Sequence, residues 1–344
     1  MTRTTPPRPL DVTALFPEVA ALARTAVRLH PRAGAPTAAD SSVGGPLLWP
    51  ADEPWPTCPE HTGPSHHGLA PADIRLRRRI LAQAHTRPRA DGDDLLTPEE
   101  RALVDRASER RRIPQDGPVP MVPVAQLHAS DVPGLPCPDG TDVLQVLWCP
   151  FDHAQDHLPR TVLRWRAAAD VVGPPADPPR PAVVGNAGYL PEPCVVHPEP
   201  VTEYPAPHEL PEELADRIDA WEEAHEERCD EDGTDDEDDL VYYQYDLSVA
   251  PGTKVGGHAP WSFSDPCPLS CPECGADVTP LLTLDGTEWD GGSGSWRPLE
   301  DADYDGLHVM GPACDTHLAI GRGYCLQLYV CTASYAHPHL QNMQ

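Results

Sequence analysis

One pattern, written twice, constrains this chain more than any other feature. The later copy reads Lys254-Val255-Gly256-Gly257-His258-Ala259-Pro260-Trp261, then Cys267 and Cys271-Pro272-Glu273-Cys274-Gly275. The earlier copy reads Ser42-Val43-Gly44-Gly45-Pro46, then Trp49-Pro50, Trp55 and Cys58-Pro59-Glu60-His61. An apolar segment follows each copy, at 120–127 and at 279–285. Each half then has a strand-like run closed by cysteine, one ending at Cys149 and the other at Cys331. Matched features in one order imply an internal duplication. The expected fold class is α+β and β-rich, with two repeats at 41–205 and 240–344 related by a pseudo-twofold and sharing one core. Residues 1–40 are expected to form a helix and loop, and 206–239 an acidic helix and linker.

The totals narrow the function classes. The net charge of -29 repels phosphate, so nucleic acid is an unfavourable partner. No window approaches eighteen apolar residues, so no membrane span is expected. Residues 1–9 carry Arg3 and Arg8 but no apolar region follows, and a cytoplasmic setting is expected. There the 11 cysteines are reduced, and Cys-x-x-Cys points to metal or redox chemistry.

Asp11 caps a predicted helix through Val12–Leu29. Gly44-Gly45 reads as a turn with positive φ. A helical hairpin is inserted at 71–113: one helix over 72–84, and a second opened by the capping box Thr97-Pro98-Glu99-Glu100 and running to about Arg112. Eleven arginines and eight acidic residues fall in it, which reads as a solvated face, a docking patch or an internal contact to the acidic segment. Strands are predicted at 142–149, 161–166 and 324–331, with an extended, proline-broken edge at 194–204. Glu209–Arg228 is an acidic helix, and 230–239 reads as a disordered linker. The alternation of Val241, Tyr243, Tyr245 and Leu247 predicts a further strand.

Cys271-x-x-Cys274 supplies two of the four ligands a tetrahedral zinc site needs. Two pairs compete to complete it. Cys314 and His317 have the tidier local spacing. Cys331, with His337 or His339, sits where the repeat places it, because Cys331 ends the strand that Cys149 ends in the first half. That correspondence favours Cys271, Cys274, Cys331 and His337. The first half offers Cys58, His61, Cys149 and His153, with His66 and His67 as spare donors. Four Cys/His ligands close a site, so any zinc here is expected to be structural. A thioredoxin-type role is disfavoured, since Pro268, Pro272 and Pro280 surround the motif where a helix would have to begin. Cys325 is in phase with the core and reads as packing.

Taken in order, Val-Gly-Gly-x-x-x-Trp, Cys-Pro-x-Cys-Gly, an apolar strand and Leu-Gln-x-x-x-Cys resemble the YwqG-like family of bacterial proteins. The same order is more distantly similar to the programmed cell death protein two family, whose members chaperone a ribosomal protein. The likeness covers most of residues 40–344. It implies an α+β fold of two related β-rich halves and no catalytic residues. The Arg-rich hairpin, the acidic linker and His61 in place of a second cysteine depart from the pattern.

No Gly-x-Ser-x-Gly, His-Glu-x-x-His or paired carboxylates on one face point to an enzyme, although a zinc-dependent one is an alternative. The favoured expectation is a zinc-stabilised interaction module. Residues 209–239 carry 17 acidic groups against Arg217 and Arg228, a field that attracts a basic protein. A ribosomal-type protein, or a toxin that this chain neutralises, would fit.

Overall fold

The computed structural model describes every residue except 1, 91, 115–116, 155–156, 173–177, 232–239 and 305–310. The acidic run expected to be a linker therefore lies almost wholly outside the described residues. In chain order come α1 (Val12–Leu15), β1 (Arg24–Arg28), β2 (Arg32–Ala33), β3 (Ser42–Val43), β4 (Ser65–Gly68), α2 (Pro71–His85), α3 (Pro98–Ala107) and β5 (Arg111–Pro114). Then follow β6 (Val122–His128), β7 (Val143–Asp152), β8 (Pro159–Arg166), β9 (Cys194–Val195), β10 (Glu199–Glu203) and α4 (Glu212–Glu231). The chain ends with β11 (Lys254–Gly256), β12 (Val278–Leu284), β13 (Leu326–Cys331) and β14 (Leu340–Met343).

Two six-stranded antiparallel sheets carry the architecture. One runs β10-β1-β11-β12-β13-β14, the other β2-β9-β3-β6-β7-β8, and β4 pairs with β5 apart from both. The fold is thus mixed and β-rich, as expected. Val27, Leu282 and Leu328 from the first sheet share one buried cluster with Val124, Val146 and Trp148 from the second. β7 and β13 are buried along nearly their whole lengths, which suits sequences that are apolar except for the buried Gln145 and Gln327 and the terminal Asp152. Residues 194–204 split into β9 and β10, and Pro200 sits in an edge strand, where its missing N–H costs nothing.

Three expectations fail, each for a local reason. The helix expected over Val12–Leu29 stops at Leu15; a 3₁₀ turn opens at Pro17, and Arg24–Arg28 is a strand. Pro17 cannot donate to a helix interior, and ladders from β10 and β11 take up the backbone that follows. α3 starts on its predicted capping box but ends at Ala107, because Arg111–Pro114 pairs with Ser65–Gly68. The strand expected at 240–247 is a π-helical turn over Tyr243–Ser248. Tyr243 and Leu247, one turn apart, both enter a second core with Val12, Phe16, Leu214 and Ile218.

The inserted hairpin is held by Arg78. Its guanidinium donates to the carbonyls of Leu190, Ala187 and His317 and pairs with Glu192 at 2.7 Å. Among the described residues, its other ion pairs stay inside the insertion, as with Arg87–Glu100 and Arg111–Asp73, and none reaches α4.

The Gly-Gly turns have positive φ at Gly44, Gly256 and Gly257. At Gly257 a Cβ would lie 2.2 Å from the Glu203 carboxylate. That close approach lets Glu203 accept from the His258 N–H at 2.8 Å. The His258 ring, itself buried, donates to the Leu22 carbonyl at 3.0 Å. Burial pushes its pKa down to about 4 from 6.5. A depressed folded-state value means stability is present above 6.5 and lost as pH falls toward 4. His258→Gln should flatten that part of the profile, read from urea midpoints at stepped pH. A constant difference between variant and wild type across that window would refute the assignment.

Candidate metal centres

Both centres are built the same way: a Cys-Pro-Glu turn meets the end of a long sheet strand. In the first, Cys58 donates its N–H to the Val119 carbonyl at 2.8 Å, and Val119 returns the bond to His61 at 3.0 Å. These two bonds fix the 58–61 turn beside β6. Cys149 lies on β7, where a register shift between Trp148 and Asp152 breaks the ladder to β8. His153 follows directly, and its N–H donates to Leu158 at 3.0 Å across the hairpin. Cys58 and Cys149 sit in an apolar cluster with Val119, Phe151 and Val183.

The second centre uses a tighter turn. Cys271 and Ala276 are joined by a 2.8 Å backbone bond, and the Gly275 N–H donates to the Cys271 carbonyl at 2.8 Å. Cys331 closes β13 opposite Val278 of β12. The Ala333 N–H donates to its sulfur at 3.3 Å, an interaction that favours thiolate over thiol. His337 comes from the turn between β13 and β14.

The side chains converge into two groups of four donors, Cys58-His61-Cys149-His153 and Cys271-Cys274-Cys331-His337, each spanning no more than 4.8 Å. Zinc bond lengths set the edges of a tetrahedron at about 3.8 Å between sulfurs and about 3.5 Å from sulfur to nitrogen. In the second group Cys274 Sγ lies 3.6 Å from Cys331 Sγ, and His337 Nδ1 lies 3.4 Å and 3.6 Å from Cys331 and Cys271. In the first, His61 Nδ1 is 3.3 Å from both sulfurs and His153 Nε2 is 3.6 Å from Cys58. None of these cysteines is in a disulfide. The donor sets can therefore hold a metal ion such as zinc. Burial pushes the Cys149 thiol well above its ordinary range, so a cation in the site is what would keep it a thiolate. Four protein donors leave no open position for substrate or activated water.

All eight favoured residues are brought together; the alternatives are not. Cys314 is buried elsewhere, its thiol pushed up to about 11 by burial. The His317 carbonyl accepts from Arg78, and burial lowers its ring pKa to about 4. His339 Nε2 lies 2.7 Å from Thr161 Oγ1, not at the second group. The His66 ring packs 6.0 Å from that of His61, outside the donor set, and His67 is exposed on β4.

Sequence reasoning missed the carboxylates behind the histidines. Glu60 Oε2 is 2.9 Å from His153 Nδ1, and Arg160 holds the other oxygen at 2.6 Å. Glu273 Oε1 lies 3.8 Å from His337 Nε2. A carboxylate bonded to the far nitrogen, as Glu60 is to His153, fixes the tautomer and orientation of a metal-binding imidazole, whereas Glu273 lies beyond hydrogen-bond reach of His337. The signal was in view: both copies read Cys-Pro-Glu.

The fold and these centres together define a β-rich α+β protein with two four-donor Cys/His groups able to hold a metal ion. The chain matches no protein-family model and no curated protein sequence. Among the described residues no helix is long and apolar enough to cross a membrane.

Proposed function

We propose that this protein is a non-catalytic, zinc-stabilised interaction module whose acidic helix receives a basic protein client. The observation that carries the reading is the pair of complete four-donor sets at zinc spacing. Each ties a surface turn to a central strand, which is the work of a structural ion. We also read the chain as a duplication of the YwqG-like kind. In support, β3-β6-β7-β8 and β11-β12-β13-β14 run in the same order, each with Gly-Gly at the first strand, Cys-Pro-Glu in the next connection and cysteine on the third strand.

The client surface is α4. Leu214 and Ile218 are buried on one side, while Glu212, Glu213, Asp216, Asp219, Glu223, Glu226 and Glu227 are exposed. Such a predominantly acidic surface, against which only Arg217 and Arg228 of the helix are exposed cations, accelerates encounter with a cationic partner and weakens with salt. Two measurements test the reading. Purified protein should contain two zinc ions per chain; metal-free, fully folded protein would refute the structural role. A basic protein should co-purify from the native cell at low salt, leave at moderate salt, and be lost when the exposed acidic residues 212–227 of α4 are replaced together by their amides. Capture that ignores either the salt or the replacement would refute the client surface.

A further inference from the structure

The two centres differ in how well they are sealed. In the first, Cys58 and Cys149 are fully buried and the His153 side chain is 8% exposed. Its carboxylate, Glu60, is 54% exposed but is held by Arg160, so the contrast between the centres lies in their sulfurs. In the second, Cys274 is exposed, the His337 side chain is 21% exposed, and Glu273, at 3.8 Å, is 59% exposed. Next to the exposed sulfur, at 3.6 Å, is Cys331 Sγ. The first centre thus has no sulfur in reach of a dissolved reagent, whereas the second has a reachable sulfur with a resolving sulfur beside it.

Resting on the zinc reading above, we propose that the second centre is an oxidant-released clasp and the first a permanent staple. The reagent is a two-electron peroxide. The Cys274 thiolate attacks the O–O bond, giving a sulfenic acid and one hydroxide. The Cys331 thiolate then attacks that sulfur and displaces a second hydroxide, leaving a Cys274–Cys331 disulfide. The two sulfurs give up two electrons and the two peroxide oxygens take them. Cys271 and His337 remain, too few donors to retain the cation. Cys331 and His337 bracket the turn into β14, so release frees that edge strand. β14 in turn meets the other sheet, where the Gln341 amide donates to Pro159 at 3.1 Å and His339 meets Thr161.

The test uses the whole chain and hydrogen peroxide, with a colorimetric chelator reporting free zinc. One of two zinc equivalents should appear, chelator alone should extract far less in the same time, and dithiothreitol with added zinc should restore the loss. Peptide mapping after differential alkylation should show Cys274 joined to Cys331, with Cys58 and Cys149 reduced. Hydrogen exchange should rise at 340–343. Loss of both equivalents together, release with Cys274 still reduced, or no release at all would overturn the proposal. Protein that carries no zinc before oxidation would instead sink the zinc reading itself. Cys58→Ser provides a second route: its single remaining zinc should be wholly peroxide-sensitive, and a resistant zinc would also overturn the proposal.

Discussion

On the zinc reading proposed above, Cys149→Ser should be isolated with one zinc per chain where the wild type should hold two, and it should unfold at distinctly lower urea. An ion at the first centre would join the 58–61 turn to Cys149 on β7. The same loop carries Trp49 and Trp55, whose rings lie 4.9 Å apart and cluster with Leu147 and Met121. Without the fourth donor, that layer is held by its apolar contacts and a few hydrogen bonds, such as Trp55 Nε1 to the Met121 carbonyl at 2.8 Å. Structural zinc contributes on the order of 10 kcal/mol to folding in small peptides. Here a large core bears part of that work, so the loss should be smaller, yet above the roughly 3 kcal/mol of a typical core truncation. Cys194→Ser is the control. Cys194 is also a buried cysteine on a strand, outside both donor groups, and its variant should keep both ions. Equal metal content in Cys149→Ser and Cys194→Ser would dispose of the first centre.

Lys254→Ala should cost about 3–5 kcal/mol, the range for stripping one partner from a buried ion pair. Lys254 Nζ and Glu203 Oε1 are 2.5 Å apart, with side-chain exposures of 1% and 0%. Replacing both members of such a pair by apolar residues is often harmless. That rescue should fail here. The Glu203 carboxylate also accepts from the Ala250 N–H at 3.0 Å and the His258 N–H at 2.8 Å. Glu203→Leu with Lys254→Met would orphan both amides inside the protein, at about 1–3 kcal/mol each. Lys254 is the chain's lone lysine, every other cationic side chain of that class being arginine. A guanidinium is bulkier and reads planar forks, so Lys254→Arg should destabilise as well. Chemical denaturation of the three variants checks the set, and a double variant as stable as wild type would refute the account.

Much of the candidate site was legible because its signal is local. Cys271-x-x-Cys274 names half a site by spacing alone. The repeat supplied the rest: if Cys149 and Cys331 end matching strands, their sulfurs belong at matching corners. Choosing Cys331 and His337 over Cys314 and His317 followed from that register, and the donor distances agree with it. The Glu60 and Glu273 carboxylates went unread because their role depends on which imidazole nitrogen faces the sulfurs.

The sequence alone determined the strands with mostly apolar runs, the capping box of α3, the turns at Gly-Gly and the donor residues. Each is set by neighbours within a few positions, where periodicity and backbone sterics decide. Only the tertiary structure decided the fate of segments whose local preference is weak. Arg24–Arg28 looks helical by spacing, yet it is a strand between β10 and β11, because two ladders satisfy more backbone than one short helix could. Tyr243–Ser248 alternates like a strand, yet it coils because Tyr243 and Leu247 must both reach the core that α4 closes. In both places the competing partners lie far along the chain, and local pattern carries no information about a partner it has not met.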